Sequence, residues 1–423
     1  MLIYRLLITL LAPVLLAVGL VRWLRGREDA KGLLGRIGLL RAPDRRRPTI
    51  WLHAASNGEL ASARPVLAAI RRLRPGHRVL ITTNSLTGRR MARGLGDHAR
   101  TAPFDLRWIV ARVLRGWQVD AHVLVESEFW PNRLTLCARA GIPVVAIGAR
   151  MSARTARGWE KRPGLARPVL GSLALVSCQD AESDRRLAAL GLPEAARAPR
   201  VDLKALYDGP STAPPPDPAL ARALPRAQSW LAASTHPGED EIVLVAHCQA
   251  LATRPDLRLV IAPRHPDRAD EIARAVRARD LPLARRSAGA GPLDCGGAVY
   301  LADTLGEMPL WYQACGIVFI GGTLSDRGGH TPYEPAAFGC ALIHGPDTRN
   351  FEAPFARLAE AEAAERIGDA NSLARALLLH AGAPDAAGRR ARAVLAPPGA
   401  AFDDLTARLD AVLPQDPTNT PVV

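Results

Sequence analysis

From residue 49 onward, short runs of β-branched and aliphatic residues alternate with longer stretches whose apolar positions recur every three to four residues. In the first half the short runs fall at 49–52, 78–82, 121–125, 143–147 and 173–177, and helical spacing occupies 59–73, 106–117, 132–140 and 181–190. Runs apolar throughout, rather than at every second residue, belong to strands buried on both faces. Strand–helix alternation therefore predicts a parallel sheet with helices on either side. The stretch 208–225 (DGPSTAPPPDPALARALP) breaks the pattern and reads as a Pro-rich linker. Alternation then resumes, with strands expected at 229–233, 257–262, 298–301, 316–320 and 341–344. Helices are expected at 239–252, 266–279, 307–315, 333–338, 351–366, 371–380 and 402–413. The pattern predicts two Rossmann-like, doubly wound α/β domains at 25–207 and 229–412, a linker at 208–228 and a flexible tail at 413–423. Ligands of such sheets sit beyond the carboxyl ends of the strands, so an interdomain cleft is the expected site.

The first 24 residues follow a different rule. Sixteen uncharged residues, LLITLLAPVLLAVGLV, lie between Arg5 and Arg22, and Trp23 follows as an interfacial aromatic. A span takes ~20 apolar residues, so this is a short one, with Pro13 as a kink. Between Arg22 and Arg47 there are nine Lys/Arg against three acids. A basic excess behind an apolar segment holds that side in the cytosol and attracts anionic headgroups. It argues for an uncleaved N-terminal membrane anchor at 1–24 rather than a signal peptide.

Composition narrows the partners. Lys and Arg number 55 against 41 Asp and Glu, a formal net charge of +14 that favours an anionic partner. Aromatic residues make up only 5%, too few for the stacking platforms of single-strand readers, so no nucleic acid is expected. The six cysteines, at 137, 178, 248, 295, 315 and 340, form no Cys-x-x-Cys, and reduced thiols are expected.

The polar residues gather just after the expected strands: HAASNGE at 53–59, ESEFWPN at 126–132, STHPGE at 234–239, PRHPDR at 263–268, DTLGEM at 303–308 and GGTLSDRGGHTPYE at 321–334. In the second half these loops suit a phosphate. Gly321–Gly322 and Gly328–Gly329 permit close backbone approach or positive φ. The turns at Gly306 and Thr331 lead into helices whose free N–H groups attract anions. Arg264 offers a planar fork, His265 a further donor, and Glu334 an acceptor for ribose hydroxyls. No G-x-G-x-x-G follows a strand and no P-loop is present, so a nucleotide sugar fits better than a dinucleotide or nucleoside triphosphate. In the first half Glu59 opens a helix, either as an acid complementing its dipole or as a general base. Glu126 and Glu128 flank Ser127 and would share one side of an extended chain. His53, His236, His265 and His330 occupy separate loops without metal-ligand spacing, so neither metal nor cofactor is expected.

Taken in order along the chain, these motifs, with TTNSLTG (82–88), GARMSART (148–155) and DLK (202–204), closely resemble the 3-deoxy-D-manno-octulosonic acid (Kdo) transferases of lipopolysaccharide synthesis. The resemblance implies a GT-B fold whose first domain binds the acceptor and whose second binds CMP-Kdo. It implies inverting transfer of Kdo from CMP-Kdo to the lipid A precursor, lipid IVA, at the cytoplasmic face of the inner membrane, in contact with membrane lipids. By motif position it makes Glu59 the general base and assigns Glu128 and Lys204 to transition-state stabilisation. Pro263, Arg264, His265, Leu305, Gly306, Glu307, Thr331, Pro332, Tyr333 and Glu334 would contact CMP. Thr331 and Tyr333 replace the family's usual Asn and Leu, and Val201–Asp202 precede Leu203–Lys204 where Gly-Asn is usual. Another GT-B nucleotide-sugar transferase or an epimerase would share the fold and phosphate loops.

Overall fold

The computed structural model describes residues 1–26, 28–44, 47–126, 128–207, 209, 213, 215, 217–292, 297–396 and 399–416. Arg27, Arg45, Arg46, Ser127, Cys295, most of 208–216 and the last seven residues, all of which figure in the sequence reading, lie outside that set. The chain divides into two compact units, Met1–Leu206 with Pro398–Val423, and Tyr207–Pro397.

The first unit is built on a six-stranded sheet: β1 Thr49–His53, β2 Arg78–Thr83, β3 His98–Thr101, β4 Val119–Val125, β5 Val144–Ala149 and β6 Leu175–Cys178. Every pairing is parallel and the order is β3-β2-β1-β4-β5-β6. Side chains alternate between two apolar layers. Ile50, Leu52, Val123 and Val145 enter one, and Trp51, Leu124, Val144 and Ala146 enter the other. Both layers are buried, which is why the strands carry consecutive apolar residues. Strand order reverses between β1 and β4, placing the loops after these strands at the point where a crevice opens.

The second unit carries seven parallel strands: β7 Ser229–Thr235, β8 Arg258–Pro263, β9 Leu283–Arg285, β10 Val299–Leu301, β11 Ile317–Ile320, β12 Ala341–His344 and β13 Ala364–Arg366. Their order is β13-β12-β11-β7-β8-β10-β9. Here the reversal falls at β7, between β11 and β8, so the loops after β7 and β11 flank the opening.

Several expectations change. The helix expected at 351–366 ends at Glu360, and Glu362 turns through a positive φ of 48° to start β13. The helix expected at 402–413 runs over Gly399–Val412 and belongs to the first unit, not to a 229–412 domain. Leu405, Leu409 and Leu413 join the apolar layer of Ile50 and Val123. The buried Arg74 guanidinium donates to the carbonyls of Asp410 (2.6 Å), Leu413 (2.9 Å) and Pro414 (2.5 Å). Residues 413–416 are therefore anchored rather than a free tail, and Asp416 accepts from Gly76 N at 2.6 Å. Within the expected linker, Pro218–Ala223 is a helix of the second unit with Leu220 and Leu224 buried. Arg226 then donates to five carbonyls, those of Tyr312, Gln313, Cys315, Phe338 and Gly339.

The N-terminal segment is two helices, Leu2–Leu10 and Ala12–Leu24, bent by 45°. Pro13 sits in the first turn of the second helix, where its missing N–H is tolerated. It cannot continue the first, because its ring would clash with the carbonyl four residues back. No single helix among the described residues is long and apolar enough to cross a membrane; the bent pair together meets the length and composition. One side leans on the first unit, through Tyr4 Oη to Asp105 Oδ2 (2.8 Å) and the Met1 amine to Gly164 O (3.2 Å). The other exposes Leu2, Ile3, Leu6, Leu7, Leu10, Val14 and Leu24.

Candidate active-site groups of the two units

In the first unit, β1 ends at His53 and the chain turns into the helix Asn57–Ser62. Ser56 caps that helix by accepting from Glu59 N at 3.2 Å. The Glu59 carboxylate folds back to accept from Ala55 N (2.8 Å) and Ser56 Oγ (3.1 Å), a variant of the capping box. Glu59 is thus the helix-start acid that one sequence reading describes, yet its environment is unusual for one. Burial pushes its pKa up to about 7; the Ala55 N–H opposes the rise, and the charges of Glu126 and Glu128 add to it. A carboxylate held near neutrality takes and gives a proton at physiological pH.

Glu128 is shifted the other way. Burial alone would raise its pKa. It is outweighed by hydrogen bonds from His53 Nε2 (2.8 Å) and Trp130 Nε1 (2.7 Å) and by the nearby Arg133 guanidinium, which together bring it down to about 2. Asn84 Nδ2 donates to the other oxygen at 2.7 Å. His53 is buried and, with Arg133 close by, is pushed below its ordinary pKa. Its Nε2 faces the carboxylate, and its Nδ1 lies 2.9 Å from Thr82 Oγ1 and 3.1 Å from the Thr82 carbonyl. Thr82 Oγ1 in turn accepts from Trp51 Nε1 at 2.8 Å. A chain of hydrogen bonds thus runs from the core of the sheet to a permanently ionised carboxylate.

Glu126 and Glu128 do not share the side of an extended strand. Glu126 adopts a left-handed φ of 62°, which is not extended backbone. Lys204 Nζ lies 3.5 Å from Glu126 Oε1, so the loop after β4 also meets the segment after β6. The sequence motifs contain His53, Asn84 and Trp130, but nothing local reveals that all three converge on Glu128. A cavity of about 540 Å³ adjoins this cluster. Glu128, Phe129, Trp130, Trp159 and Arg150 are on its wall, and Tyr4 of the first helix closes one side.

In the second unit Glu239, in the first turn of Glu239–Leu251, is buried. It accepts from His236 N (2.9 Å), Gly322 N (2.8 Å) and Leu324 N (3.0 Å), stapling the loop after β7 to the loop after β11. The glycines of the second loop serve its own path. A side chain at Gly321 would collide with the Ser234 carbonyl, and Gly328 and Gly329 both take positive φ. The result is a coplanar, hydrogen-bonded imidazole pair, His236 and His330, with Nε2 atoms 3.0 Å apart and ring planes within 5°. His265 meets His236 edge-on at 6.0 Å. Burial lowers the pKa of both rings and the charges of Arg264 and His265 add to the effect; Glu239 opposes it at His236, and His236 adds to it at His330. His330 falls to about 4, so the pair is neutral at pH 7.

Of the other residues singled out, Pro263 closes β8, and Arg264 and His265 are exposed just beyond it. Leu305 and Gly306 are exposed, Gly306 with φ of 87°. Glu307 is clamped by Arg286, whose Nη2 lies 2.7 Å from Oε1 and holds the carboxyl below its usual range. Thr331 Oγ1 accepts from Tyr333 N at 3.3 Å, one residue ahead of Pro332, which occupies the N-cap of the short helix Tyr333–Ala337. Burial raises Glu334, against a hydrogen bond with Tyr312. These residues line successive loops at one end of a single sheet. Arg264, His265 and Leu305 point to solvent, whereas Glu307 and Glu334 are engaged within the protein.

Two parallel-sheet α/β units with polar groups at their switch points define the construction of GT-B glycosyltransferases. Solved structures agree at the level of fold alone. UDP-GlcNAc 2-epimerase from Neisseria meningitidis bound to UDP-GlcNAc superposes with a TM-score of 0.58 at 12% identity, covering 86% of this chain and 99% of that one. A putative UDP-N-acetylglucosamine 2-epimerase from Listeria monocytogenes gives 0.57 at 13%, covering 88% and 99%. Sequence carries the assignment further. Residues 31–205 match the family model described as 3-Deoxy-D-manno-octulosonic-acid transferase (kdotransferase). The 3-deoxy-D-manno-octulosonic acid transferase of Bordetella pertussis is 34% identical over 407 residues, 88% of this chain and 89% of its own. That of Haemophilus influenzae is 33% identical over 339 residues, 78% and 77%. The chain belongs to the Kdo transferase family.

Proposed function

We propose that this protein transfers Kdo from CMP-Kdo to the lipid A precursor lipid IVA, with inversion, at the cytoplasmic face of the inner membrane. The observation that carries the mechanism is the pair of carboxylates beside β1 and β4, one held near pKa 7 and the other near 2. Two acids driven apart in this way take different roles.

Glu59 takes the proton of the acceptor hydroxyl as its oxygen attacks the ketosidic carbon of Kdo. The bond from that carbon to the CMP phosphate oxygen breaks, and the electron pair leaves with CMP. A single displacement of this kind inverts the centre. Glu128 stays anionic throughout and, with Lys204, stabilises the oxocarbenium-like transition state and the carboxylate-bearing sugar around it. In the second unit Arg264, His265 and the backbone of 305–307 and 331–334 bind the nucleotide and meet the charge of the departing phosphate. The wall of aromatic residues next to Glu128 suits the acceptor. The exposed aliphatic side of Leu2–Leu24 and the +14 net charge suit attachment to an anionic bilayer that presents a phosphorylated lipid.

Incubating the full chain with lipid IVA and CMP-Kdo, and weighing the lipid product, tests this reading. Addition of Kdo residues to the lipid is expected. Unchanged lipid, with transfer from a UDP-sugar instead, would discard it.

A further inference from the structure

The first unit contains a second polar cavity that the transfer reaction does not use. It lies at the edge of the sheet, beside β3, and has a volume of about 290 Å³. The helix Ala30–Arg36, which follows the two N-terminal helices, packs against β3 there. Its close approach depends on Gly35, where a side chain would press on the Thr101 backbone. The helix Leu86–Ala92 supplies another wall.

Lys31, Arg89, Arg93 and Arg100 line this cavity, together with His98 and a single acid, Asp97. Asp97 is already committed, accepting from Val79 N at 2.7 Å. Arg89 is 2% exposed; its Nη2 reaches Asp29, but Nε and Nη1 have no partner. Arg100 Nε is also buried and unpartnered. Buried donors without acceptors are costly, and guanidinium donors more so than neutral ones. Four permanent cations facing two carboxylates, Asp97 and Asp29, leave two positive charges unmatched. The strain is visible in the neighbours. Burial and the charges of Arg89 and Arg93 hold Arg100 below its ordinary pKa, and burial with Arg100 and Arg78 does the same to His98.

We propose that this cavity is a binding site for a phosphate group, held by the buried fork of Arg89 and by Nε of the half-buried Arg100, whose Nη1 already donates to Ala99 O, and closed by Lys31 and Arg93 at the rim. A phosphate supplies the missing acceptors and the missing charge together, and guanidinium groups match its geometry. The roof of the cavity is the helix that continues the apolar N-terminal pair. The group therefore comes either from a lipid headgroup or from a soluble phosphate compound. The site stands whether or not lipid IVA is the acceptor.

Lys31 and Arg93 are exposed, so the double variant Lys31→Glu/Arg93→Glu should fold normally. Arg274→Glu/Arg277→Glu, on an exposed helix face of the second unit, carries the same charge change as a control. Calorimetric titration of the full chain in non-ionic detergent with inorganic phosphate should show saturable binding. The rim variant should weaken it at least ~10-fold, and the control should not. Flotation on phosphatidylcholine vesicles, with and without phosphatidylglycerol, separates the sources. A phosphatidylglycerol-dependent loss of flotation in the rim variant alone marks a lipid headgroup; loss of phosphate binding with unchanged flotation marks a soluble ligand. Absence of saturable phosphate binding in the native chain, or equal binding by the rim variant, would overturn the proposal.

Discussion

Replacing Glu59 by Gln keeps its size and its capping geometry, since the amide oxygen can still accept from Ala55 N. What it removes is basicity. General-base catalysis contributes roughly 10²–10⁴-fold, and turnover of Glu59→Gln should fall within that range while CMP-Kdo binding is retained. The pH profile is more diagnostic. With a pKa of about 7, the native carboxylate is half ionised near pH 7. Below that, kcat/KM should drop about tenfold per pH unit, because only the ionised form accepts a proton. Residual activity of Glu59→Gln should lack this acidic limb. Glu126→Gln removes one of the charges that raises Glu59, so the limb should move to lower pH. The sign of the stability change provides a separate check. A carboxyl whose folded pKa lies above its unfolded value destabilises the fold when ionised. That cost is present above about pH 7 and vanishes below the ordinary carboxylate range. Glu59→Gln should therefore raise Tm at pH 8 and change it little at pH 4. Turnover within tenfold of native, or an acidic limb near pH 4.5 unaffected by Glu126→Gln, would remove Glu59 from the role of base.

Arg264→Ala should raise the KM for CMP-Kdo more than that for the lipid acceptor in steady-state kinetics with each varied in turn; the opposite split would take Arg264 out of the nucleotide site. In the proposed mechanism Arg264 and Lys204 provide the charge neutralisation, so transfer should persist in EDTA, and loss restored by Mg²⁺ would contradict the account. Leu409→Ala deletes a side chain that is 2% exposed in the apolar layer of the first unit and should cost about 2–5 kcal/mol. Hydrogen exchange should show the loss of protection in peptides from β1–β6, and loss confined to β7–β13 would contradict docking of the last helix on the first unit.

The interior strands were legible because burial on both faces leaves a trace: 50–52 in β1, 123–125 in β4, 230–233 in β7, 259–262 in β8, 317–320 in β11 and 341–343 in β12 are consecutive apolar residues. The edge strands β9 and β13 were not. They have three residues each, with one buried side chain, Ala284, between them, too little for a period to emerge. The amphipathic stripe of Gly399–Val412 foretold a helix but not which sheet receives it, since any apolar face accepts leucines. Contacts with Arg74, more than three hundred residues earlier, decide that. At the site, residue types and their place after strands were readable, and so was Glu59 as a helix-start acid. The opposite shifts of Glu59 and Glu128 were not, because they depend on groups distant in sequence. Asn84 and His53 reach Glu128 from two other loops, and Arg133 acts from beneath. The positive φ of Glu126 likewise defeated the reading of 126–128 as extended chain.

The two switch points carry chemistry of opposite character. Beside β1 and β4 stand three carboxylates, Glu59, Glu126 and Glu128, with one lysine among them. Beside β7 and β11 stand three imidazoles and Arg264, while the acid there, Glu239, has both its oxygens occupied by backbone N–H groups. The first environment draws protons and cations, and the second offers donors to anions. Glycosyl transfer from a nucleotide sugar makes these two demands at once, since one oxygen must lose a proton while another gains negative charge. If one sheet provided both, the groups would neutralise each other: a lysine at 3.5 Å already offsets Glu126, and Arg286 silences Glu307. Placing them on separate folding units keeps the two sets of groups from neutralising each other. That separation is a physical reason for a transferase of this kind to be built from two sheets rather than one.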